Sequence, residues 1–200
     1  LNMGDHVGDD ASRVAANRAL LEQALGRRPV FLQQVHGKGV LDLTAGMPDG
    51  QQADACVLSE PSGLACTIMV ADCLPVLFTH LDQPVVAAAH AGWRGLAGLA
   101  LPANTDAAEP IFEGVLEATF NRFSDLVGAS PNEVALRTIA WLGPCSGPTA
   151  FEGGAEVKAA FEAVHPAAVT LFAVQHKKAQ QTKYLADLQG LARLRLRALG

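Results

Sequence analysis

The chain has 200 residues, of which 50% are hydrophobic and 18% are charged, so it can bury a core and is not mainly disordered. Its 15 Lys and Arg against 20 Asp and Glu give a formal net charge of −5, which argues against a nucleic-acid partner. This length is typical of one domain, and we expect residues 1–200 to form a single domain.

The apolar segments and the cysteines indicate in which cellular compartment the protein is found. No apolar stretch approaches the roughly 18 residues that a membrane-crossing helix needs, and the first residues lack the basic and then apolar pattern of a signal peptide. The four cysteines form no C-x-x-C motif and have mostly apolar neighbours: Cys56, Cys66, Cys73 and Cys145. These features predict a cytoplasmic protein with reduced thiols and no membrane partner.

The first half of the chain predicts one helix followed by strands. The helix spans residues 9–25, with Asp9 or Asp10 as its N-cap and Gly26 at its end. Short β-rich segments separated by turn residues then predict strands at residues 29–35, 53–58, 64–70, 74–78 and 84–89. Several of these segments are apolar on both faces, which is typical of a sheet that is covered on both sides.

The second half predicts alternating helices and strands. Ser130 and Glu133 form a capping box around Pro131, so a single helical turn is expected there. The predicted elements are a surface loop at residues 99–106, helices at 107–128, 152–164 and 184–199, and strands at 135–142 and 169–174. This order of elements indicates an α+β domain and not a simple doubly wound sheet.

Three residues that can bind a metal lie where predicted strands turn: His36, Cys73 and His90. The ends of strands present side chains to a shared pocket. Imidazole and thiolate suit zinc, and three protein ligands would leave a fourth position open, as in catalytic zinc sites. The three residues are far apart in the sequence, unlike zinc-finger ligands, and a histidine at a strand end is more often an ordinary hydrogen-bonded residue. Spacing alone leaves both interpretations open.

Two glycine-containing loops are candidates for substrate binding. Gly92 and Gly95 bracket Arg94 beside His90, and a Gly-Pro-Cys-Ser-Gly-Pro loop follows a predicted strand at residues 143–148. Such loops let backbone N–H groups approach an anion or a polar substrate, although tight turns are the commoner outcome. Neither loop is a P-loop, because no Gly-Lys-Ser/Thr sequence follows.

The motifs of this chain occur in the order seen in one known family. They are Asn2–Leu25 with His-Val-Gly-Asp-Asp, Gln-Gln-Val-His-Gly at 33–37, Ala-Asp-Ala at 53–55, Ala-Asp-Cys-Leu-Pro at 71–75, Ala-His-Ala-Gly-Trp-Arg-Gly at 89–95, Leu-Gly-Pro-Cys at 142–145 and Phe-Glu at 151–152. The chain therefore resembles the YfiH-like, laccase-domain family, whose members have been labelled polyphenol oxidase, purine nucleoside phosphorylase and peptidoglycan editing factor. The resemblance covers nearly the whole chain.

The resemblance implies a fold, a cofactor and an activity. The family fold is a four-layer α/β/β/α sandwich with mixed sheets. Its zinc ligands correspond to His36, Cys73 and His90 of this sequence. The activities assigned to the family are phosphorolysis of adenosine, inosine and methylthioadenosine, with some adenosine deamination. The implied partners are purine nucleosides and phosphate.

The sequence also departs from the family pattern. Compared with the family, we expect two terminal segments to be missing from it: the N-terminal segment with a Thr-x-Arg-x-Gly-Gly motif and the usual C-terminal part. The region 99–109 looks longer than usual, and Phe-Glu-Gly-Gly at 151–154 replaces the common Phe-Glu-Val-Gly. Without the arginine of the missing motif, the phosphate-binding group is unassigned.

Several residues around the predicted zinc ligands have two interpretations. Arg94 is the candidate partner of phosphate, since its guanidinium fork pairs two oxygens; the alternative interpretation is that it stacks on Trp93 or pairs with an acid. Glu152 is a candidate general acid or base, or a residue of the first helical turn. Gly143 and Cys145 are candidate substrate contacts, Cys145 alternatively being a small buried filler. The remaining histidines are predicted at the surface: His6, His80, His165 and His176.

Three alternative functions use the same residues. A cysteine hydrolase, such as an amidase that edits cell-wall precursors, would use Cys73 as nucleophile with His90 or His36 as base. A multicopper oxidase needs far more than the 6 histidines present, although one copper ion in the same pocket would fit. A binding protein with a structural zinc would need a fourth ligand, for which the sequence offers no clear choice.

Overall fold

The computed structural model describes residues 1–60, 62–100, 112–175 and 182–200. Its α-helices are α1 (Ala11–Leu25), α2 (Trp93–Ala97), α3 (Val115–Val127), α4 (Pro131–Leu136), α5 (Ala155–Val164) and α6 (Leu188–Ala198), with a 3-10 helix at Pro166–Leu171. Its strands are β1 (Arg28–Val30), β2 (Val40–Asp42), β3 (Ala55–Leu58), β4 (Leu64–Cys66), β5 (Leu74–His80), β6 (Val86–Ala91), β7 (Leu99–Ala100), β8 (Phe112–Glu113), β9 (Thr138–Leu142), β10 (Glu152–Gly153), β11 (Phe172–Gln175) and β12 (Lys183–Ala186). No helix in these ranges is long and apolar enough to cross a membrane.

A five-stranded mixed sheet forms the centre of the fold. Its order is β2-β3-β6-β5-β9, with β2 parallel to β3 and every other pair antiparallel. All residues of β3 are buried, because both faces of the sheet are covered. Ala55 and Val57 pack into one hydrophobic cluster, and Cys56 and Leu58 pack into a second cluster on the opposite face.

Four layers result from this packing. Helix α3 packs on β3 and β6 from one side, while β4, paired in parallel with β1, packs on the same two strands from the other. Helix α1 packs on β1 and forms the outer layer of that side. The α+β class and the α/β/β/α sandwich expected for a single domain are therefore confirmed.

The helical predictions were right where the signals are local. Asp10 caps α1 by accepting hydrogen bonds from the backbone N–H groups of Ser12 and Arg13 at 2.9 and 3.1 Å, and Gly26 ends the helix in the left-handed conformation. The backbone N–H of Ser130 donates to Glu133 at 3.1 Å, and the short helix α4 follows.

Several predicted boundaries were wrong because strand pairing took residues from predicted helices. The helix predicted at 184–199 begins only at Leu188, since Lys183–Ala186 is strand β12, which pairs with both β10 and β11. The helix predicted from residue 152 begins at Ala155 for the same reason. The strand predicted at 169–174 begins at Phe172, after the 3-10 helix.

Other predicted elements differ from the structure in the first half of the chain and around the loop predicted at residues 99–106. Of the strand predicted at 29–35, only residues 29–30 lie in a strand, at the end of β1, and β2 at Val40–Asp42 was not predicted. Part of the surface loop predicted at 99–106 lies in β7, which pairs with β8. The remainder of that loop, the beginning of the helix predicted at 107–128 and His176 lie outside the described residues.

Candidate metal centre

Three strand ends meet at one edge of the central sheet. Strand β6 ends beside the beginnings of β3 and β5, because it is antiparallel to both. His90 lies near the end of β6, and Cys73 immediately precedes β5 instead of ending the strand predicted at 64–70. Asp54 immediately precedes β3 and accepts a backbone hydrogen bond from His90 N–H at 2.7 Å.

The alternation of side chains directs His90 and Cys73 to the same face. Their neighbours Ala89, Ala91 and Leu74 belong to the cluster beneath the helices. Residues one position along a strand point to the opposite face, so His90 and Cys73 point away from that cluster.

The third donor, His36, comes from a loop beyond β1. Its backbone has φ of 61°, in the left-handed region that residues other than glycine rarely adopt. Its N–H donates to Asp54 Oδ1 at 2.8 Å, and the N–H groups of Val35 and Gly37 donate to Asp54 Oδ2 at 3.2 and 2.7 Å. These bonds attach the loop to the edge of the sheet.

The three donors form a compact group. His36 Nε2 lies 3.8 Å from Cys73 Sγ, and the ligand atoms of His36, Cys73 and His90 all lie within 4.8 Å of one another. The rings of His36 and His90 meet edge to face, with centroids 4.7 Å apart. Ligand atoms around a tetrahedral zinc are about 3.3–3.6 Å apart, given Zn–N and Zn–S bonds of about 2.0–2.3 Å. The donor set therefore fits zinc once its widest pair closes by about 1 Å.

Two glycines allow this close approach. A Cβ at Gly92 would lie 2.7 Å from His36 Cδ2 and 3.3 Å from Cys73 Sγ. A Cβ at Gly95, in α2, would lie 2.5 Å from the carbonyl oxygen of Gly37. The backbone of the Ala-Gly-Trp-Arg-Gly segment thus packs directly against the donors and the loop that carries His36, because these two glycines have no side chain.

Burial affects the protonation of the donors. Burial and the neighbouring His90 lower the pKa of His36, which favours the neutral imidazole that binds metals. Burial and the Asp72 carboxylate raise the pKa of the Cys73 thiol. Metal binding at this site therefore has to displace the thiol proton.

The donors open into a cavity of about 490 Å³. One wall is the N-terminal segment, which α1 holds through hydrogen bonds from Asn17 Nδ2 to the carbonyl of Asn2 at 2.7 Å and from Arg18 Nε to that of Met3 at 2.8 Å. Another wall is the segment before Cys73. There Gln34 Nε2 donates to the carbonyl of Met69 at 2.7 Å, and the N–H of Met69 donates to Gln34 Oε1 at 2.8 Å. The apolar lining includes Met3, Val7, Leu21, Phe31, Ile68, Met69 and Val70.

A family model described as multi-copper polyphenol oxidoreductase laccase matches residues 1–200. The chain belongs to this family. The family assignment made from the motifs is thereby confirmed.

Close relatives in the family carry a different functional name. The protein called purine nucleoside phosphorylase YfiH from Escherichia coli (strain K12) is 45% identical over 202 residues, covering 100% of this chain and 71% of the relative. A purine nucleoside phosphorylase from Pseudomonas aeruginosa is 44% identical over 200 residues, with the same coverage of 100% and 71%.

Solved structures show the same fold. The crystal structure of a Neisseria meningitidis protein has a TM-score of 0.78 and 38% identity, covering 100% of this chain and 71% of that one. The structure of YlmD from Geobacillus stearothermophilus has a TM-score of 0.72 and 26% identity, with coverage of 100% and 70%.

Arg94 and Glu152 lie outside the lining of the cavity. Arg94 is exposed at the start of α2, and its guanidinium carbon stacks 4.6 Å from the centre of the Trp93 ring. It lies two residues after Gly92, where a Cβ would contact both His36 and Cys73, and its charge contributes to the lowered pKa of His36 after burial and His90. Glu152 is exposed on β10 and is not in the first turn of a helix, contrary to one of its two interpretations.

Gly143 and Cys145 lie in a loop that is attached next to Cys73. The N–H of Gly143 donates to the carbonyl of Pro75 at 2.9 Å, and the N–H of Ser146 donates to that of Asp72 at 2.9 Å. Cys145 is half-buried, and burial raises the pKa of its thiol. The loop touches the beginning of β5, but neither Gly143 nor Cys145 lines the cavity.

The other donor residues stay apart from the three. Among the described residues, no fourth His, Cys, Asp or Glu joins the group within 4.8 Å. His6 is exposed as predicted, whereas His80 is half-buried and its Nδ1 accepts hydrogen bonds from the N–H groups of Asp82 and Gln83. His165 is also half-buried. All four cysteines are free.

Sequence reasoning missed Asp54 as a residue of the site. It is 0% exposed, and Oδ1 lies 2.9 Å from His90 Nδ1 in addition to the loop N–H groups. Burial alone would raise its pKa, but the hydrogen bonds from His90 and the backbone of residues 35–37 lower it. The available signal was an acidic residue at the head of a fully apolar strand, which needs buried partners.

Proposed function

We propose that this protein is a zinc-dependent purine nucleoside phosphorylase that acts on adenosine, inosine and methylthioadenosine and also deaminates adenosine. The observation that carries the proposal is the grouping of the His36, Cys73 and His90 donor atoms within 4.8 Å at the mouth of a cavity. Relatives that are 44–45% identical and are named purine nucleoside phosphorylases support it.

His36, Cys73 and His90 would hold the ion. Bound zinc supplies a Lewis acid that polarises oxygen atoms and lowers the pKa of bound water. Three ligands from the protein are typical of catalytic sites, whereas structural zinc has four. The same donors also suit copper, so copper is the alternative ion.

The cavity fits the proposed substrate class. A volume of about 490 Å³ is ordinary for a site that encloses a small molecule. The apolar walls formed by Phe31, Ile68 and Val70 suit the faces of a purine base, and the exposed Asp72 carboxylate offers an acceptor to a sugar hydroxyl or an amino group.

The proposed roles of the other residues follow from their positions. Arg94, which stacks on Trp93, would bind phosphate with its guanidinium fork. The Gly143–Cys145 loop would contact substrate through its backbone. A general acid or base role of Glu152 stays a prediction that its exposed place on β10 does not favour.

Metal analysis combined with a product assay tests the proposal. We expect close to one zinc per chain, release of free base from nucleoside only when phosphate is present, and loss of turnover after chelation that zinc restores. Cys73→Ala should lose both the metal and turnover, the latter by at least about 100-fold. Full turnover in chelated, metal-free protein would contradict zinc dependence.

A cysteine hydrolase is the second candidate, because Cys73 Sγ and His36 Nε2 are 3.8 Å apart, as in a nucleophile and its base. Such an amidase, for example one that edits cell-wall precursors, would keep its activity in chelator. In that case Cys73→Ala would retain any bound metal and lose turnover. The raised pKa of the Cys73 thiol weighs against this candidate, since the thiolate is the nucleophile.

A further inference from the structure

We propose that Asp54 is the positioning residue of the metal centre, and that its one carboxylate orients both histidine ligands at once. The inference rests on the proposed metal site and adds a residue that acts only through His36 and His90. Asp54 contacts one histidine through its ring and the other through its backbone.

Asp54 selects the tautomer of His90. The backbone N–H groups of residues 35–37 and Nδ1 of the His90 ring surround the two carboxylate oxygens. A carboxylate encircled by donors acts as acceptor only, so the ring hydrogen of His90 lies on Nδ1. The lone pair of Nε2 is then free for a metal, which is the usual arrangement of a histidine ligand with an orienting carboxylate.

Asp54 also holds His36 in an unfavourable backbone conformation. Three successive N–H groups, of Val35, His36 and Gly37, converge on its carboxylate at 2.7–3.2 Å. A residue other than glycine at φ of 61° persists only when its surroundings hold it there. The same bonds keep the His36 ring 4.7 Å from the His90 ring.

Asparagine has the shape of aspartate but cannot satisfy both histidines. If its oxygen faces the His90 ring, its NH₂ group meets the N–H groups of Val35 and Gly37, and the loop that carries His36 is displaced. If its NH₂ group faces the ring, Nδ1 of His90 becomes an acceptor and the hydrogen moves to Nε2, which then cannot bind a metal. Asp54→Asn therefore disables one ligand in either orientation.

Nitrogen NMR of the imidazole rings tests the orientation directly. In the protein as purified, labelled with ¹⁵N, we expect long-range ¹H–¹⁵N correlations to show His90 with its hydrogen on Nδ1. In Asp54→Asn we expect a changed tautomer of His90 or shifted ring signals of His36. A hydrogen on Nε2 of His90 in the unsubstituted protein would overturn the proposal, and this measurement decides it even if the variant fails to fold.

Titration with Co²⁺ and Zn²⁺ provides the second readout, with Asp42→Asn as the matched control. Asp42 is a partly exposed residue of β2 that pairs with Arg122 and not with the donors. We expect Asp54→Asn to weaken binding of both ions about 10–100-fold and to alter the thiolate band of the Co²⁺ form, while Asp42→Asn leaves both unchanged. Equal affinities in a folded Asp54→Asn protein would contradict the positioning role.

The two proposals can fail separately. If the unsubstituted protein binds Co²⁺ and Zn²⁺ and Asp54→Asn weakens both, but no nucleoside is turned over, the proposed function fails and the positioning role stands. If the protein binds zinc and turns over nucleosides while Asp54→Asn binds zinc equally well, the function stands and the positioning role fails.

Discussion

At the residue scale, the candidate centre depends on a glycine that leaves room for the closely spaced donors. Gly92 lies where any Cβ would press on His36 and Cys73. Its φ of −64° and ψ of 154° are available to every residue, so glycine is needed there for space and not for backbone freedom.

Gly92→Ala is expected to weaken zinc binding about 10-fold or more, because the added methyl group lies 2.7 Å from His36 Cδ2 and must displace that ring. Competition with a chromogenic chelator measures the affinity. Gly147→Ala is the matched control, since a Cβ there meets nothing within 4 Å. Unchanged affinity in Gly92→Ala would show that the site tolerates the methyl group.

At the element scale, ion pairs attach neighbouring elements to one another. Arg122 of α3 donates to both carboxylate oxygens of Asp42 in β2, with Nε to Oδ1 at 2.8 Å. The hydrogen bond and charge of Arg122 lower the pKa of Asp42. Both side chains are 39–42% exposed, so solvent reduces the contribution of this bidentate pair.

Arg122→Ala is expected to lower the free energy of unfolding by less than about 1 kcal/mol at neutral pH. Because folding lowers the pKa of Asp42, the linked stability is fully present above the ordinary carboxyl value of about 4 and is lost as the pH falls through the lower folded value. The difference between the two proteins, measured by urea unfolding, should shrink on acidification. A difference that grows at low pH would contradict this account.

At the scale of the whole molecule, the larger hydrophobic cluster, beneath the helices, and the donors occupy opposite faces of one sheet. Phe123 of α3 is 0% exposed and packs on Phe78, with ring centroids 6.3 Å apart, in the cluster beneath the helices. His90 and Cys73 point to the other face. Stability and metal binding are therefore expected to respond to different substitutions.

Phe123→Ala is expected to cost about 3–5 kcal/mol of unfolding free energy through the cavity it leaves, with the zinc content per folded chain unchanged. Thermal and urea unfolding measure the first, and metal analysis of the folded fraction measures the second. Leu136→Ala, at a residue that is 80% exposed, should change stability by no more than about 0.5 kcal/mol. Loss of zinc from folded Phe123→Ala would show that core and site are coupled.

The sequence by itself determined what depends on neighbours along the chain. Asp10 and Gly26 bound α1, Ser130 and Glu133 start α4, and the motifs around the donors identified the family, because caps and motifs act over a few residues.

Only the tertiary structure decided what depends on partners distant in the chain. Lys183–Ala186 is a strand because β10 and β11 flank it, against its helical pattern. The donors meet because antiparallel pairing places the end of β6 beside the beginnings of β3 and β5. Asp54 orients both histidines because folding buries its carboxylate among three backbone N–H groups and the His90 ring, a requirement that no local pattern expresses.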